Sequence, residues 1–137
     1  MLKVNNLTIA PLFREVNFYV PRGEIVTLMG PSGSGKSTLF SWMVGALSDD
    51  FQAQGELWLD DRRCDGLPVE QRGIGILFQD ALLFDQYSVG QNLLLALPAR
   101  ITGRARRERV QQALDSAGLN RHYASDAATL SGGERAR

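Results

Sequence analysis

Gly30-Pro31-Ser32-Gly33-Ser34-Gly35-Lys36-Ser37 satisfies the pattern G-x-x-x-x-G-K-[ST] at every fixed position. Glycines at this spacing let the backbone turn so tightly that several N–H groups converge, which makes a cradle for phosphate oxygens. A lysine at position 36 reaches the β- and γ-phosphates of a nucleotide, and the hydroxyl of Ser37, followed by Thr38, is placed for a Mg²⁺ shell. The helix expected to start near Gly35 aims the positive end of its dipole at the same point.

Both flanks supply the context such a loop needs. Upstream, Ile25-Val26-Thr27-Leu28-Met29 is a short apolar run after the turn Pro21-Arg22-Gly23, and it predicts a buried, parallel strand feeding the loop. Downstream, Leu39, Phe40, Met43, Val44 and Leu47 recur at helical spacing, as a helix packed by one face would require. A glycine-rich turn without a ligand also joins strands to helices. Eight matching positions with both flanks in order favour the phosphate cradle.

Further out, Leu2, Val4, Leu7 and Ile9, and then Val16, Phe18 and Val20, alternate with polar residues and predict half-buried antiparallel strands. Gly55–Asp60 alternates again and is a candidate to pair with them. Gly73–Phe78 is a second candidate parallel strand. It lacks the third glycine of a dinucleotide-binding turn. Beyond it the pattern turns helical. Val89, Leu93, Leu94 and Leu97 form a stripe stopped by Pro98, and a further helix is expected over about Arg104–Ala117 with Gly118 as its cap.

The 137 residues suffice for one ordinary domain, and 44% hydrophobic with 22% charged residues is a globular composition. No apolar run approaches the roughly 20 residues that cross a bilayer, and no secretory signal is present. The single cysteine, Cys64, excludes an internal disulfide framework and reads as a small residue at a strand end. His122, the only histidine, cannot build a metal site by itself and receives no role. Net charge is zero but divided, with about −4 over residues 1–99 and about +4 over residues 100–137. The arginines at 100, 104, 106, 107 and 109 precede the apolar positions Val110, Ala113, Leu114 and Ala117. They read better as a solvated helix face than as a nucleic-acid or lipid patch.

A second motif, Leu130-Ser131-Gly132-Gly133-Glu134, lies 100 residues after the first. Locally Ser131 and Glu134 form a capping box. Two glycines in the first helical turn serve helix formation poorly, but they let a ligand approach the backbone N–H groups.

With Gly30–Ser37, Gln79 at the end of Ile76-Leu77-Phe78, and Leu130–Glu134 in register, the chain resembles the ATP-binding cassette (ABC) transporter ATPases along its whole length. The first motif resembles Walker A, Gln79 the Q-loop, and Leu130–Glu134 the LSGGQ signature with Glu at its last position. Ser88–Leu93 is similar to the segment that follows the Q-loop.

The resemblance implies an α/β fold. Its P-loop NTPase core is joined to an N-terminal antiparallel β subdomain and a helical subdomain, and it is incomplete at the C-terminus. Residues 1–84 would hold the β subdomain and Walker A core, 85–130 the helical subdomain, and 130–137 the signature and the start of its helix. It implies ATP and Mg²⁺ as cofactors, with Gly30, Pro31, Ser32, Gly33, Ser34, Gly35, Lys36, Ser37 and Thr38 around the nucleotide. Ser131, Gly132, Gly133 and Glu134 would meet the ATP of a partner in a head-to-tail homodimer. Lys36 and Gln79 would be catalytic, and Ser37 and Gln79 would lie at the metal.

The implied activity is ATP hydrolysis that drives transport through membrane permease subunits, from a peripheral position on the cytoplasmic face of the inner (plasma) membrane. Nucleic acid is not an expected partner. A non-transport relative acting on DNA or ribosomes, a nucleotide-binding regulator, and an unrelated phosphate-loop kinase or GTPase are the other readings.

Departures from the family pattern carry their own expectations. The Walker B Asp, the catalytic Glu and the switch His that follow the signature have no counterparts before Arg137, so the chain is expected to be a fragment with little activity alone. The family strand beside the phosphate-loop strand would then be missing, which leaves an open apolar edge prone to aggregation. The stretch Thr8–Leu12 offers no aromatic platform for adenine, and Phe13 is the nearest candidate.

Overall fold

The computed structural model describes residues 1–137, which divide into two compact units, Met1–Leu77 and Phe78–Arg137. In the first, β1 (Leu2–Ala10) pairs antiparallel with β2 (Phe13–Val20) on one side and β3 (Gln52–Leu59) on the other. The short β4 (Arg62–Arg63) completes a four-stranded sheet of order β2-β1-β3-β4. The early alternation is therefore an antiparallel sheet, as expected, and Gly55–Asp60 does pair with it.

Val4, Leu7, Ile9 and Leu57 are completely or almost completely buried on one sheet face, together with Leu39, Trp42 and Met43 of α1 (Lys36–Val44) and with Cys64. Burial of side chains of this size stabilises by about 1.5–3 kcal/mol each. Cys64, at zero exposure directly after β4, is the small core residue its position suggested.

Val4 and Leu7 are three residues apart, yet both face the core, which a strict two-residue alternation forbids. A bulge resolves the conflict. The β1–β2 register shifts between Val4 and Leu7, and the β1–β3 register shifts between Asn5 and Thr8. Asn6 (φ 48°) and Glu15 (φ 54°) take the left-handed region there. Side chains satisfy the displaced backbone. The Asn6 N–H donates to Asn17 Oδ1 at 2.8 Å, Asn17 Nδ2 to the Glu15 carbonyl at 2.8 Å, and the Glu15 N–H to Thr8 Oγ1 at 3.1 Å.

On β3 the bulge is met by Gly55, at φ +152°, where a Cβ would lie 2.7 Å from Leu7 Cα. Neither the dihedral nor the neighbouring backbone can yield cheaply. Gly55→Ala is expected to cost about 2–3 kcal/mol, read as a lowered urea midpoint at unchanged slope. A midpoint equal to that of the parent would refute the packing assigned to this bulge.

The two expected parallel strands do not form. Ile25–Met29 has no regular structure, with Ile25 94% and Met29 87% exposed. Gly73–Phe78 is likewise irregular, with Leu77 98% exposed and only Ile74 packed on the core. A parallel strand depends on hydrogen-bonded neighbours and on cover from both faces. No strand of this chain lies beside either run, so their backbones stay with solvent.

Helix α1 also differs in phase from its prediction. Trp42 is buried and Phe40 is exposed, while Leu39, Met43, Val44 and Leu47 pack as expected. It ends at Gly45 in the left-handed conformation (φ 89°), whose N–H donates to the Ser41 and Trp42 carbonyls. The four-residue α2 (Val69–Arg72) follows β4 and brings Arg72 into the interior.

The second unit is helical. Its α3 (Val89–Ala96) starts at a complete Ser88/Gln91 capping box. Its longest helix, α4 (Gly103–Ser116), buries Val110 and Leu114 against Val89 and Leu119, with Leu93, Leu94, Leu97 and Ala117 packed around them. Gly118, at φ 69°, follows the helix end as predicted. Arg100, Arg104, Arg107 and Arg109 are exposed, which fits a solvated face.

Arg106 departs from that group. It turns inward and donates to the carbonyls of Pro98 and Ile101 at 3.0 and 2.9 Å, and also to those of Leu94 and Leu97, closing the C-terminal end of α3. Ser131 and Glu134 form the predicted capping box at the start of α5 (Gly132–Ala136). No helix is long and apolar enough to cross a membrane.

Candidate functional site

The phosphate-loop residues converge in the first unit, between the irregular Ile25–Met29 segment and α1. Gly33 and Gly35 hold φ of 80° and 90°, and Gly35 is the N-cap of α1. Only glycine adopts these angles without strain. At Gly35 a Cβ would also meet the Phe13 ring edge at 2.9 Å and Leu12 Cβ at 3.2 Å, so the loop lies directly on the β1–β2 connection.

The resulting turn leaves the N–H groups of Gly33, Gly35, Lys36, Ser37 and Thr38 without an acceptor in the protein. A helix N-terminus presenting unpaired donors in succession concentrates partial positive charge. Lys36 Nζ folds back over the loop and donates to the Gly30 and Pro31 carbonyls at 2.7 Å each and to Ser34 Oγ at 3.3 Å. Free donors, a helix dipole and a lysine above them suit a polyphosphate chain.

Ser37 stands exposed in the first turn of α1. No cluster of three or more His, Cys, Asp or Glu side chains exists to hold a cation alone. A Mg²⁺ here would therefore take its remaining ligands from phosphates and water, which is the usual manner of that ion. Phe13, the aromatic nearest the loop in sequence, packs its edge on Gly35 and contributes to the core, half-buried.

Gln79 and the second motif belong to the other unit. Gln79 is exposed in an irregular segment. Ser131 Oγ accepts from the Glu134 N–H at 3.3 Å and donates to Glu134 Oε2 at 2.7 Å, while the Ser131 N–H donates to the same carboxylate oxygen at 2.8 Å. The Ser131 hydroxyl and its N–H hold the Glu134 carboxyl below its ordinary range, helped by the charges of His122 and Arg137. Gly132 and Gly133 have open space where side chains would stand, so the start of α5 is sterically accessible.

Two residues enter this picture that the sequence reading left without a role. Arg72 is 7% exposed and donates to the carbonyls of Trp42, Met43, Asp65 and Leu67. His122 Nε2 lies 3.5 Å from Glu134 Oε1. Neither contact has a local sequence signal, because the partners are 30 and 12 positions away.

Comparison with known proteins gives a consistent result. The sequence profile of the family described as ABC transporter matches residues 13–137. An uncharacterized ABC transporter ATP-binding protein of Escherichia coli K12, YnjD, is 62% identical over 141 residues, covering 100% of this chain and 65% of its own length. The Fe(3+) ions import ATP-binding protein FbpC of Streptomyces avermitilis is 40% identical over 89% of this chain and 35% of its own length. The thiamine import ATP-binding protein ThiQ of Haemophilus influenzae is 37% identical over 88% of this chain and 55% of its own length.

Among solved structures, a dimeric post-hydrolysis state of the ATP-binding cassette MJ0796 bound to ADP and Pi superposes with a TM-score of 0.77 at 26% identity. The match covers 98% of this chain and 65% of that one. The chain thus spans about two-thirds of the length of YnjD and of MJ0796, and about a third to a half of the two importers.

Proposed function

The chain belongs to the ABC transporter family, with its P-loop NTPase fold, and from that premise we propose that it is the ATP-binding part of a transporter subunit. The protein would bind and hydrolyse ATP as a head-to-tail dimer and drive a substrate through membrane permease subunits. The observation that carries this reading is the set of unpaired N–H groups at Gly33 and Gly35–Thr38 beneath the Lys36 ammonium.

With ATP bound, those N–H groups and Gly30–Ser34 would hold the phosphates, and Lys36 would exchange the Gly30 and Pro31 carbonyls for phosphate oxygens. A metal bound with the nucleotide would neutralise charge at the phosphates, with Ser37 of the loop to hold it, and Gln79 keeps the metal and catalytic role that the family resemblance implies. Ser131 and Gly133 would meet the terminal phosphate of the nucleotide held by the other subunit, on the turn that Gly132 and Glu134 complete. Closure of the dimer is then a two-state change biased by γ-phosphate contacts.

The helical region at about 85–125 transmits that change to the permease, which places the protein peripherally on the cytoplasmic face of the inner (plasma) membrane. The import functions named for FbpC and ThiQ support an importer.

The test is ATP-dependent dimerisation of the full-length protein. Ser131→Arg puts bulk and an exposed cation at the start of α5 without touching the phosphate loop. It is expected to leave ATP binding by the monomer at parental affinity and to abolish the ATP-dependent dimer in sedimentation. A dimer that survives this change would reduce Leu130–Glu134 to a helix cap.

A further inference from the structure

The Ser131 hydroxyl, which the proposed function directs at a phosphate, instead donates a hydrogen bond to Glu134 Oε2 at 2.7 Å. That carboxylate adds a negative charge where an anion is to be received. The other carboxylate oxygen, Oε1, faces His122 Nε2 at 3.5 Å, with both side chains about one-third exposed. His122 is itself oriented. Its Nδ1 lies 3.3 Å from Ser125 Oγ, and the Ser125 N–H donates to the His122 carbonyl at 3.0 Å, which ties the imidazole to the loop following α4. One ring nitrogen is thus engaged by Ser125 and the other turned to Glu134.

Other charges near the pair are accounted for. Arg135 is engaged with Asp85 and the Ala127 carbonyl, each at 3.0 Å. Arg137 reaches the Gly133 and Ala117 carbonyls at 3.4 and 3.5 Å and adds its charge to the field at Glu134. Arg121, next to His122 in the chain, is exposed. Histidine is the residue type here whose ordinary charge change falls between pH 5 and 8.

We propose that His122 is a positioning residue for the signature turn: as imidazolium it holds the Glu134 carboxylate through Oε1 and offsets its charge while Ser131 keeps Oε2, so that the partner's ATP meets less negative charge at the turn. The inference rests on the proposed role of Leu130–Glu134 in meeting that nucleotide. Its sign is definite. The protonated imidazole offsets the carboxylate, so ATP-dependent dimerisation gains over a His122→Gln variant wherever the imidazole is charged.

The experiment measures Mg-ATP-dependent dimerisation of the full-length protein at pH 6.0 and 8.0 in the parent, His122→Gln and Glu134→Gln. A glutamine at position 134 keeps the capping box and removes only the charge. For a partly exposed pair the parent should dimerise about two- to fivefold more tightly than His122→Gln at pH 6.0 and equally at pH 8.0. Glu134→Gln should dimerise more tightly than the parent at pH 8.0.

Comparison at one pH removes the titration of ATP itself. An equal ratio of parent to His122→Gln at both pH values overturns the proposal. If the parent forms no ATP-dependent dimer at any pH, the functional reading of the signature falls. The pair is then judged without nucleotide, by ¹³C NMR of the Glu134 carboxyl. A titration midpoint that rises in His122→Gln supports the contact, and an unchanged midpoint overturns it.

Discussion

Lys36→Ala is expected to weaken ATP binding by roughly tenfold to a hundredfold while leaving the fold and the thermal midpoint close to those of the parent. The binding loss follows from removing a charge-assisted hydrogen bond to phosphate, worth about 1.5–3 kcal/mol. The intact fold follows from where the lysine's present partners lie. Gly30 and Pro31, whose carbonyls accept from Nζ at 2.7 Å, are both exposed, so water takes over when the ammonium is gone. The free N–H groups of Gly33 and Gly35–Thr38 do not depend on the side chain and remain as a weaker anion site. Calorimetric titration of the full-length protein with Mg-ATP reads the affinity, and circular dichroism on heating reads the fold. Unchanged affinity would remove the phosphate-loop assignment.

What the sequence made legible follows a physical division. The loop Gly30–Ser37, the capping box at Ser131 and the stripe Val89–Leu97 are set by residues within one or two turns of each other, and all three form where expected. Pattern reading also caught Leu2, Val4, Leu7 and Ile9 but assumed an unbroken alternation. The bulge that rephases them at Asn6 is paid for across three strands by Asn17, Thr8 and Gly55, which no single-strand pattern contains.

The failures at Ile25–Met29 and Gly73–Phe78 have another cause. Apolarity marks a segment fit for burial, but burial depends on neighbours located elsewhere, and no strand of this chain accompanies these two runs. For the candidate site, the phosphate loop could be read directly. The reach of His122 to Glu134 arises only when the loop after α4 returns beside α5.

Arg72→Met is expected to have the opposite profile to Lys36→Ala: a large loss of stability with no direct loss of nucleotide contacts. Both basic side chains cap carbonyls, and burial separates them. At 7% exposure the Arg72 guanidinium donates to Trp42 at 2.8 Å, Met43 at 3.3 Å, Asp65 at 2.8 Å and Leu67 at 2.7 Å, all through backbone oxygens.

No carboxylate pairs with it. The Trp42 and Met43 carbonyls belong to the last turn of α1, so the negative end of the helix dipole supplies the counter-charge. Methionine fills much of the volume but leaves the Met43, Asp65 and Leu67 carbonyls without their donor and Trp42 with the Gly45 N–H alone, at about 1–3 kcal/mol for each acceptor that water cannot reach. The expected total is about 3–5 kcal/mol, read by urea unfolding, and a loss below about 1 kcal/mol would refute it.

Arg72→Lys should recover little of this, since one ammonium cannot span four carbonyls that a planar fork reaches together. The same geometry explains Gly45, where a Cβ would stand 2.7 Å from the Arg72 Nε. Because α1 carries Lys36 at one end and meets Arg72 at the other, the pair of variants separates the two demands on that helix. Lys36→Ala should fold and fail to bind. Arg72→Met should bind at parental affinity in whatever fraction remains folded, and weakened binding in that fraction would show that Arg72 also sets the geometry of the phosphate loop.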